Sequence, residues 1–443
     1  MYEKEEQKLT DFKDRLEQVP LPLEGADGAI MQGLERAKRE KLQTHAKRKR
    51  TIWSLAAAAL IILTLITSIR VSPAFANAVA SIPGMEKFVE RIQNDKGLSA
   101  VFENEYYQPI GESQTIGSTT LTIEGVILDE SGMNIFYRVE SAVTLEDIKI
   151  NMPVLENQQE IPPGSISYHS PLAEQDSPKI YSDIIGFTFQ DSVKFENLDF
   201  TLGLQVKLDG NEIDFSVPFT VPENVKPSIV YEMNKEVIVE GQKFTIEEVK
   251  VHPLRVGILI SFDPDNTKKI LQFEDIRLEN EDGEVWSSIA NGISARGDID
   301  DGEIIYFIQS NYFENPKELY LRINKMQAVD IEDSYFLVDT DKNVLSHSPQ
   351  DGRLELIDSS RTGFQMNLKM ETDQELHYGI DRRISDANGE PMDTQHTGIS
   401  TPHDGVQSID FGFTDNGYVN PVRIDLAAYP NYINGDVKIE LKK

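Results

Sequence analysis

TLTIEGVILDESGMNIFYRVE, Thr120 to Glu140, decides the fold. Thr120 to Glu124 and Asn134 to Val139 alternate apolar and polar side chains. That period of two puts one face of each run into a core and the other toward water. Asp129-Glu130-Ser131-Gly132 lies between them as a turn, so the stretch predicts an antiparallel hairpin. The same period, with frequent Asn, Asp, Gly and Pro turns, continues from about residue 100 to Lys443. The bulk of the chain is therefore expected to be β.

The hairpin recurs. Thr122-Ile123-Glu124-Gly125-Val126 returns as Thr245-Ile246-Glu247-Glu248-Val249, and Ile135 returns as Ile258. Leu155-Glu156-Asn157 returns at the same offset as Leu278-Glu279-Asn280. A second offset links Arg255-Val256-Gly257-Ile258 to Arg361-Thr362-Gly363-Phe364, and Asp275-Ile276-Arg277 to Asp381-Arg382-Arg383. An Asn-led strand closes each unit, at Asn197, Asn315 and Asn420. Matches at fixed offsets mark tandem units. We read three Ig-like β-sandwiches, residues 100–225, 226–331 and 332–443, with breaks near Pro222–Ser228 and Val329–Asp333.

Upstream the pattern changes. Thr51 to Ile69, TIWSLAAAALIILTLITSI, carries no charge and as a helix spans about 28 Å, close to a bilayer's hydrocarbon thickness. Lys47, Arg48, Lys49 and Arg50 precede it directly, while Arg70 alone follows closely. The positive-inside rule then keeps residues 1–50 in the cytoplasm and places everything after Val71 outside the cell. Ala74-Phe75-Ala76 would also suit a cleaved signal peptide. The long apolar run and the fifty residues before it favour a retained anchor in the cell membrane.

Leu9, Phe12, Leu16 and Val19 are spaced as one helical face, which Pro20 and Pro22 end. A second helix begins near Asp27 with Ile30, Met31 and Leu34 and becomes basic before the membrane. These two apolar faces have too little chain to fold alone, so Leu9, Phe12, Leu16, Ile30 and Leu34 are the candidate contacts to a cytoplasmic partner. Residues 70–99 read as a juxtamembrane amphipathic helix. Ser81 is its cap, Met85, Phe88, Val89 and Ile92 its stripe, and Gly97 its C-terminal stop.

Net charge is −31, and all of the acidic excess lies beyond Arg70. Phosphate binding needs Lys and Arg stripes, so the outer part is not expected to bind nucleic acid. With no cysteine there is neither a disulfide framework nor a thiolate zinc site. The sequence holds no G-x-S-x-G, H-E-x-x-H, Walker A or dinucleotide fingerprint, so no catalytic, cofactor or metal residues are assigned. His396 and His403-Asp404 read as loop residues. Asp339-x-Asp341-x-Asn343 opens like a calcium loop, but Val344 replaces the glycine and Gln350 the final glutamate, so it reads as a hairpin turn. Asp263-Pro264-Asp265-Asn266 is likewise a turn, and Trp286 a core residue of the middle sandwich.

Ser72-Pro73-Ala74-Phe75-Ala76, Ile82-Pro83-Gly84-Met85, Asp95-Lys96-Gly97 and GVILDESGMNIFYRVE together resemble the family catalogued as domain of unknown function 4179, over about residues 15–225. GQKFTIEEVKVHPLRVGI resembles the domain that often follows it. The resemblance implies a Firmicute single-pass membrane protein, N-terminus inside, with an extracytoplasmic-function sigma factor as a partner. It brings no catalytic residues. The chain lacks the His-x3-Cys-x2-Cys zinc motif of many anti-sigma domains, and its inner segment is short for one. Two functions fit: an anti-sigma-factor-like membrane regulator with an unknown envelope ligand outside, or a membrane-anchored structural or adhesion protein of the cell surface.

Overall fold

The computed structural model describes residues 3–17, 88, 92, 95–142, 148–169, 179–208, 211–222, 225–287, 295–370, 379–400 and 404–443. The chain divides into two compact units, Met1–Val71 and Ser72–Lys443. In the first unit, helix α1 runs over Glu3–Glu17. Its Glu, Lys and Gln residues favour a helix, and Leu9 and Phe12 stand exposed on it. Ile30, Leu34, the basic cluster Lys47, Arg48, Lys49, Arg50 and the apolar run 51–69 lie outside the described residues. No helix among the described residues is long and apolar enough to cross a membrane.

The second unit is mostly β, with antiparallel sheets that pack in pairs. In the first pair, Gln108–Pro109, Thr119–Asp129, Gly132–Ser141, Ile180–Phe189 and Pro163–Ser167 lie side by side. They face Asn211–Thr220, Asp199–Leu208 and Ile148–Ile150. Leu121, Ile123, Ile135, Phe187, Leu202 and Phe215 meet between the sheets. Thr119–Asp129 alternates in burial at its start and is then buried without interruption from Gly125 to Asp129. The reason is a second layer on the outer face. Phe88, Ile92, Val101, Phe102 and Tyr107 cover Ile127 and Phe136 there, with Phe88 and Phe102 both edge-on to Phe136. Phe88 and Ile92, two members of the expected apolar stripe, therefore bury against the first sandwich.

The second pair repeats the first closely. Val126 pairs with Ile135 and Val249 with Ile258, at the same register. A β-bulge falls between Ile123 and Gly125 in one and between Ile246 and Glu248 in the other. Ile229–Val239, Gln242–Val251, Val256–Phe262, Glu303–Ile308 and Ala295–Asp298 form one sheet. Val285–Trp286, Lys268–Asn280, Leu319–Asp330 and Tyr432–Lys442 form the other. The third sandwich packs Val344–His347, Tyr335–Asp339, Val422–Leu426 and Asp381–Ser385 against Leu354–Ser360, Gly363–Lys369, Val406–Phe413 and Thr394–Ile399.

The last strand is the main departure from the expected boundaries. In the first sandwich the Asn-led strand Asp199–Leu208 turns directly back into Asn211–Thr220. In the second, the strand after Leu319–Asp330 does not turn back. Tyr335–Asp339 crosses to the third sandwich and pairs with its Asn-led strand Val422–Leu426. The strand after that, Tyr432–Lys442, returns and pairs with Leu319–Asp330. The second and third sandwiches have exchanged their closing strands. The second therefore consists of 229–330 with 432–442, and the expected span 332–443 is not one unit. Local sequence could not reveal this, because an exchanged strand keeps the same alternation whichever sheet receives it.

Gly97 also departs from its expected role. It does not stop a helix but lies in the first turn of helix α2, Lys96–Glu103, whose N-cap is Asp95 accepting from Leu98 N at 2.9 Å. A boundary near residue 100 cuts through this helix.

Ile439 is buried in the second core and pairs with Leu321. Ile439→Ala should cost about 2–5 kcal/mol. Hydrogen exchange should quicken in Leu319–Asp330 and Val256–Phe262 and leave Val422–Leu426 protected; the reverse pattern would refute the strand exchange.

Candidate functional site

The first two sandwiches meet through the same hairpin of each repeat. Asp129-Glu130-Ser131-Gly132 and its counterpart His252-Pro253-Leu254-Arg255 stand opposite one another. Asp129 is fully buried. Its Oδ1 closes its own turn, accepting from Ser131 N at 2.7 Å and Gly132 N at 3.1 Å, and its Oδ2 accepts from Leu254 N across the junction at 2.7 Å. One carboxylate thus shapes a turn and joins two sandwiches.

Arg255 is buried beside it. Nη1 donates to Thr188 Oγ1 at 2.5 Å, and the guanidinium lies 5.5 Å from the Phe307 ring centre. Burial pulls its pKa down, and the charges of Asp129 and Asp95 oppose that shift. A buried guanidinium without those carboxylates would carry a desolvation penalty of several kcal/mol. His252 is buried in the same turn, with no partner for Nδ1, and its backbone carbonyl accepts from Ser310 Oγ. Further bonds ring the contact. Ser228 N donates to Glu130 Oε2, Tyr312 OH to the Pro227 carbonyl at 2.9 Å, and Arg296 Nη1 to the Phe189 carbonyl.

Helix α2 is wedged into this junction. Its Phe102 packs on the first sandwich, while Lys96 reaches the second. Lys96 Nζ lies 2.7 Å from Glu284 Oε1 and 4.8 Å from the Trp286 ring centre. Gly97 sits against the backbone of Ser310, where a Cβ would fall 2.7 Å from Ser310 N. Only glycine allows that approach. Asp95 is itself pushed up in pKa by burial, against the pull of the Leu98 and Gly97 amides and of Arg255. The segment Asp95-Lys96-Gly97 is therefore a three-way fastening: a cap, an ion pair and a close backbone contact. The chain that follows the apolar run is tied to both sandwiches where they touch.

Of the expected partner-binding residues, Leu9 is 68% and Phe12 64% exposed on α1, and Leu16 lies in the same helix. Trp286 is buried in the second core, as a strand residue. Asp339 sits in a hairpin, with Oδ2 2.6 Å from Lys342 Nζ, and Asp263 caps its turn through Asp265 N. Exposed His396 pairs with Asp410 at 3.1 Å; His403 lies outside the described residues. No group of three or more His, Asp or Glu able to hold a metal occurs among the described residues. The junction residues Asp129, His252 and Arg255 were missed as a site. The available signal was their common place in two copies of one hairpin, where His252-Pro253-Leu254-Arg255 stands in place of the Asp129-Glu130-Ser131-Gly132 turn.

The chain carries a domain of unknown function (DUF4179) over residues 46–141 and matches the family of unknown function DUF5643 over 228–358. The broader likeness expected over 15–225 is thus matched over a shorter span. The second match includes the strands that cross into the third sandwich. No curated protein matches the chain. A solved structure, the conserved domain protein from Bacillus anthracis, is 17% identical, covers 54% of this chain and 84% of its own, and has a TM-score of 0.39.

Gly97→Ala should force α2 off Ser310 at a cost of about 1–3 kcal/mol. In a Trp53→Phe background, Trp286 emission should shift and amides 96–103 should exchange faster, with the first core unchanged. An unaltered spectrum would show that the close contact is not needed. Burial also lowers the His252 pKa below 6.5; Asp129 and Glu130 favour its proton, and Lys250 and Arg255 oppose it. The unfolded chain takes that proton first, so the stability His252 gives is complete above pH 6.5 and is lost as pH falls from there through the lowered folded value. Asp95, with its raised pKa, acts in the opposite sense. The difference in melting between wild type and His252→Gln should therefore shrink on acidification from about pH 7.5 to 5.5.

Proposed function

We propose that the chain is a single-pass membrane regulator, anti-sigma-factor-like, with its sandwiches outside the cell and its N-terminal segment bound to an extracytoplasmic-function sigma factor. The observation that carries this reading is the fastening of Asp95-Lys96-Gly97. The apolar, basic-flanked run is followed, at Lys96–Glu103, by a helix locked to both of the first two sandwiches. A change in how those sandwiches meet would move α2, and in this reading that movement is the signal passed toward the membrane. The exposed Leu9 and Phe12 stripe supports a protein contact at the other end. In this reading the protein is not an enzyme, needs no cofactor and touches no nucleic acid.

The interlocked second and third sandwiches also suit a stiff surface spacer, the alternative in which residues 1–50 serve only as an anchor.

Leu9→Glu with Phe12→Glu, introduced into the full chain in its native host, separates the two. The regulator reading expects transcription from the sigma factor's own promoters to rise to the level of a deletion strain, with the membrane amount of the protein unchanged. No rise would leave the spacer reading standing.

A further inference from the structure

A cleft of about 630 Å³ lies between the second and third sandwiches, within the size range of small-molecule sites. Its walls come from both. The second supplies the Asp263–Asn266 turn, Lys268, Lys269 and the Ile299–Gly302 turn. The third supplies Arg383 and Arg423. Phe262, Ile270, Ile299 and Ile331 add apolar surface. In a chain of net charge −31, a cleft lined by four cations and three carboxylates runs against the general charge of the surface.

The cations are held apart from collapse by partial pairing. Lys268 Nζ lies 2.7 Å from Asp330, which is on the exposed rim. Asp300 is shared, 2.5 Å from Lys269 and 3.5 Å from Arg382. Arg423 stacks 3.6 Å from the centre of the Tyr335 ring and gives Nε and Nη2 to Asp425, each at 2.8 Å. Arg382, the residue before Arg383, has its pKa lowered by burial and then by the charge of Arg383, with Asp425 opposing. Cations fixed in this way, beside apolar walls, present an anion with a preorganised site.

We propose that this cleft binds a small amphipathic anion, with its carboxylate or phosphate at Lys268, Lys269 and Arg383 and its apolar body against Phe262 and Ile270. The inference concerns ligand chemistry alone. Its failure would leave the sigma-factor reading untouched, and failure of that reading would leave the binding measurable.

The test uses the full chain in phosphatidylcholine nanodiscs and ligand-observed saturation-transfer NMR. Benzoate and phenyl phosphate are the anionic probes, and benzamide is the uncharged match to benzoate. Saturable binding of at least one anion, about ten-fold tighter than benzamide, is expected. Lys268→Gln and Arg383→Gln should each weaken it about five-fold with melting unchanged. Lys268 is ion-paired with the exposed Asp330, so its variant is expected to fold even if the Arg383 variant does not. Tighter phenyl phosphate would identify a phosphate ligand, and tighter benzoate a carboxylate. Equal binding of benzamide, absence of saturable anion binding, or anion binding unmoved by Lys268→Gln would each overturn the proposal.

Discussion

The buried charge of Arg255 is the constraint around which the junction of the first two sandwiches is arranged. A guanidinium cannot leave water without partners, and both of the carboxylates that offset its burial come from outside the second sandwich. Asp129 belongs to the first sandwich and Asp95 to the chain entering α2. Asp129 Oδ2 accepts from Leu254 N and Arg255 Nη1 donates to Thr188 Oγ1, so the first two sandwiches are bonded in both directions across the pair of turns. Asp129 shows how this junction was assembled from a repeat. It does the ordinary work of a turn carboxylate with Oδ1 and uses its spare oxygen to accept from the equivalent turn of the next unit.

The second and third sandwiches solve the same problem differently. They are joined through backbone rather than through charge. Tyr335–Asp339 closes the third sandwich and Tyr432–Lys442 closes the second, so the chain crosses between them twice and each core contains a strand borrowed across the crossing. Ile433 and Ile439 sit in the second core, while Leu271 and Val329 of the second sandwich's strands sit in the third. Gln327 accepts from Tyr429 N at 2.7 Å at the return crossing. Parting these sandwiches would require unzipping a strand from each.

What the sequence made legible was what depends on local periodicity. The hairpin at Thr120–Glu140, the repeat and its Asn-led strands follow from alternation, and alternation is what a half-buried sheet demands. The strand exchange was not legible, since Tyr335–Asp339 and Tyr432–Lys442 satisfy either sheet equally. Gly97 was misread because a glycine at a helix end and a glycine under a crossing backbone look the same in one dimension. Only the position of Ser310, far along the chain, tells them apart. Arg255 was noted as a mark of repetition, and its burial between three elements had no local trace.

These two kinds of joint fix where the β unit can change shape. Opening the contact between the second and third sandwiches means losing ladder bonds and core residues together. Opening the contact between the first and second leaves a single connection, between Thr220 and Ile229, and breaks the polar bonds of Asp129 and Arg255 together with the apolar contacts of Leu254 and Phe313 to the first sandwich. One chain connection crosses the first junction and two cross the second, which makes the first the softer of the two. It is also the joint that grips α2. A ligand held between the second and third sandwiches would stiffen a part already stiff. Its effect on α2 would pass through the seating of the second sandwich on Asp129 and through the contacts of Lys96 with Glu284 and of Gly97 with Ser310.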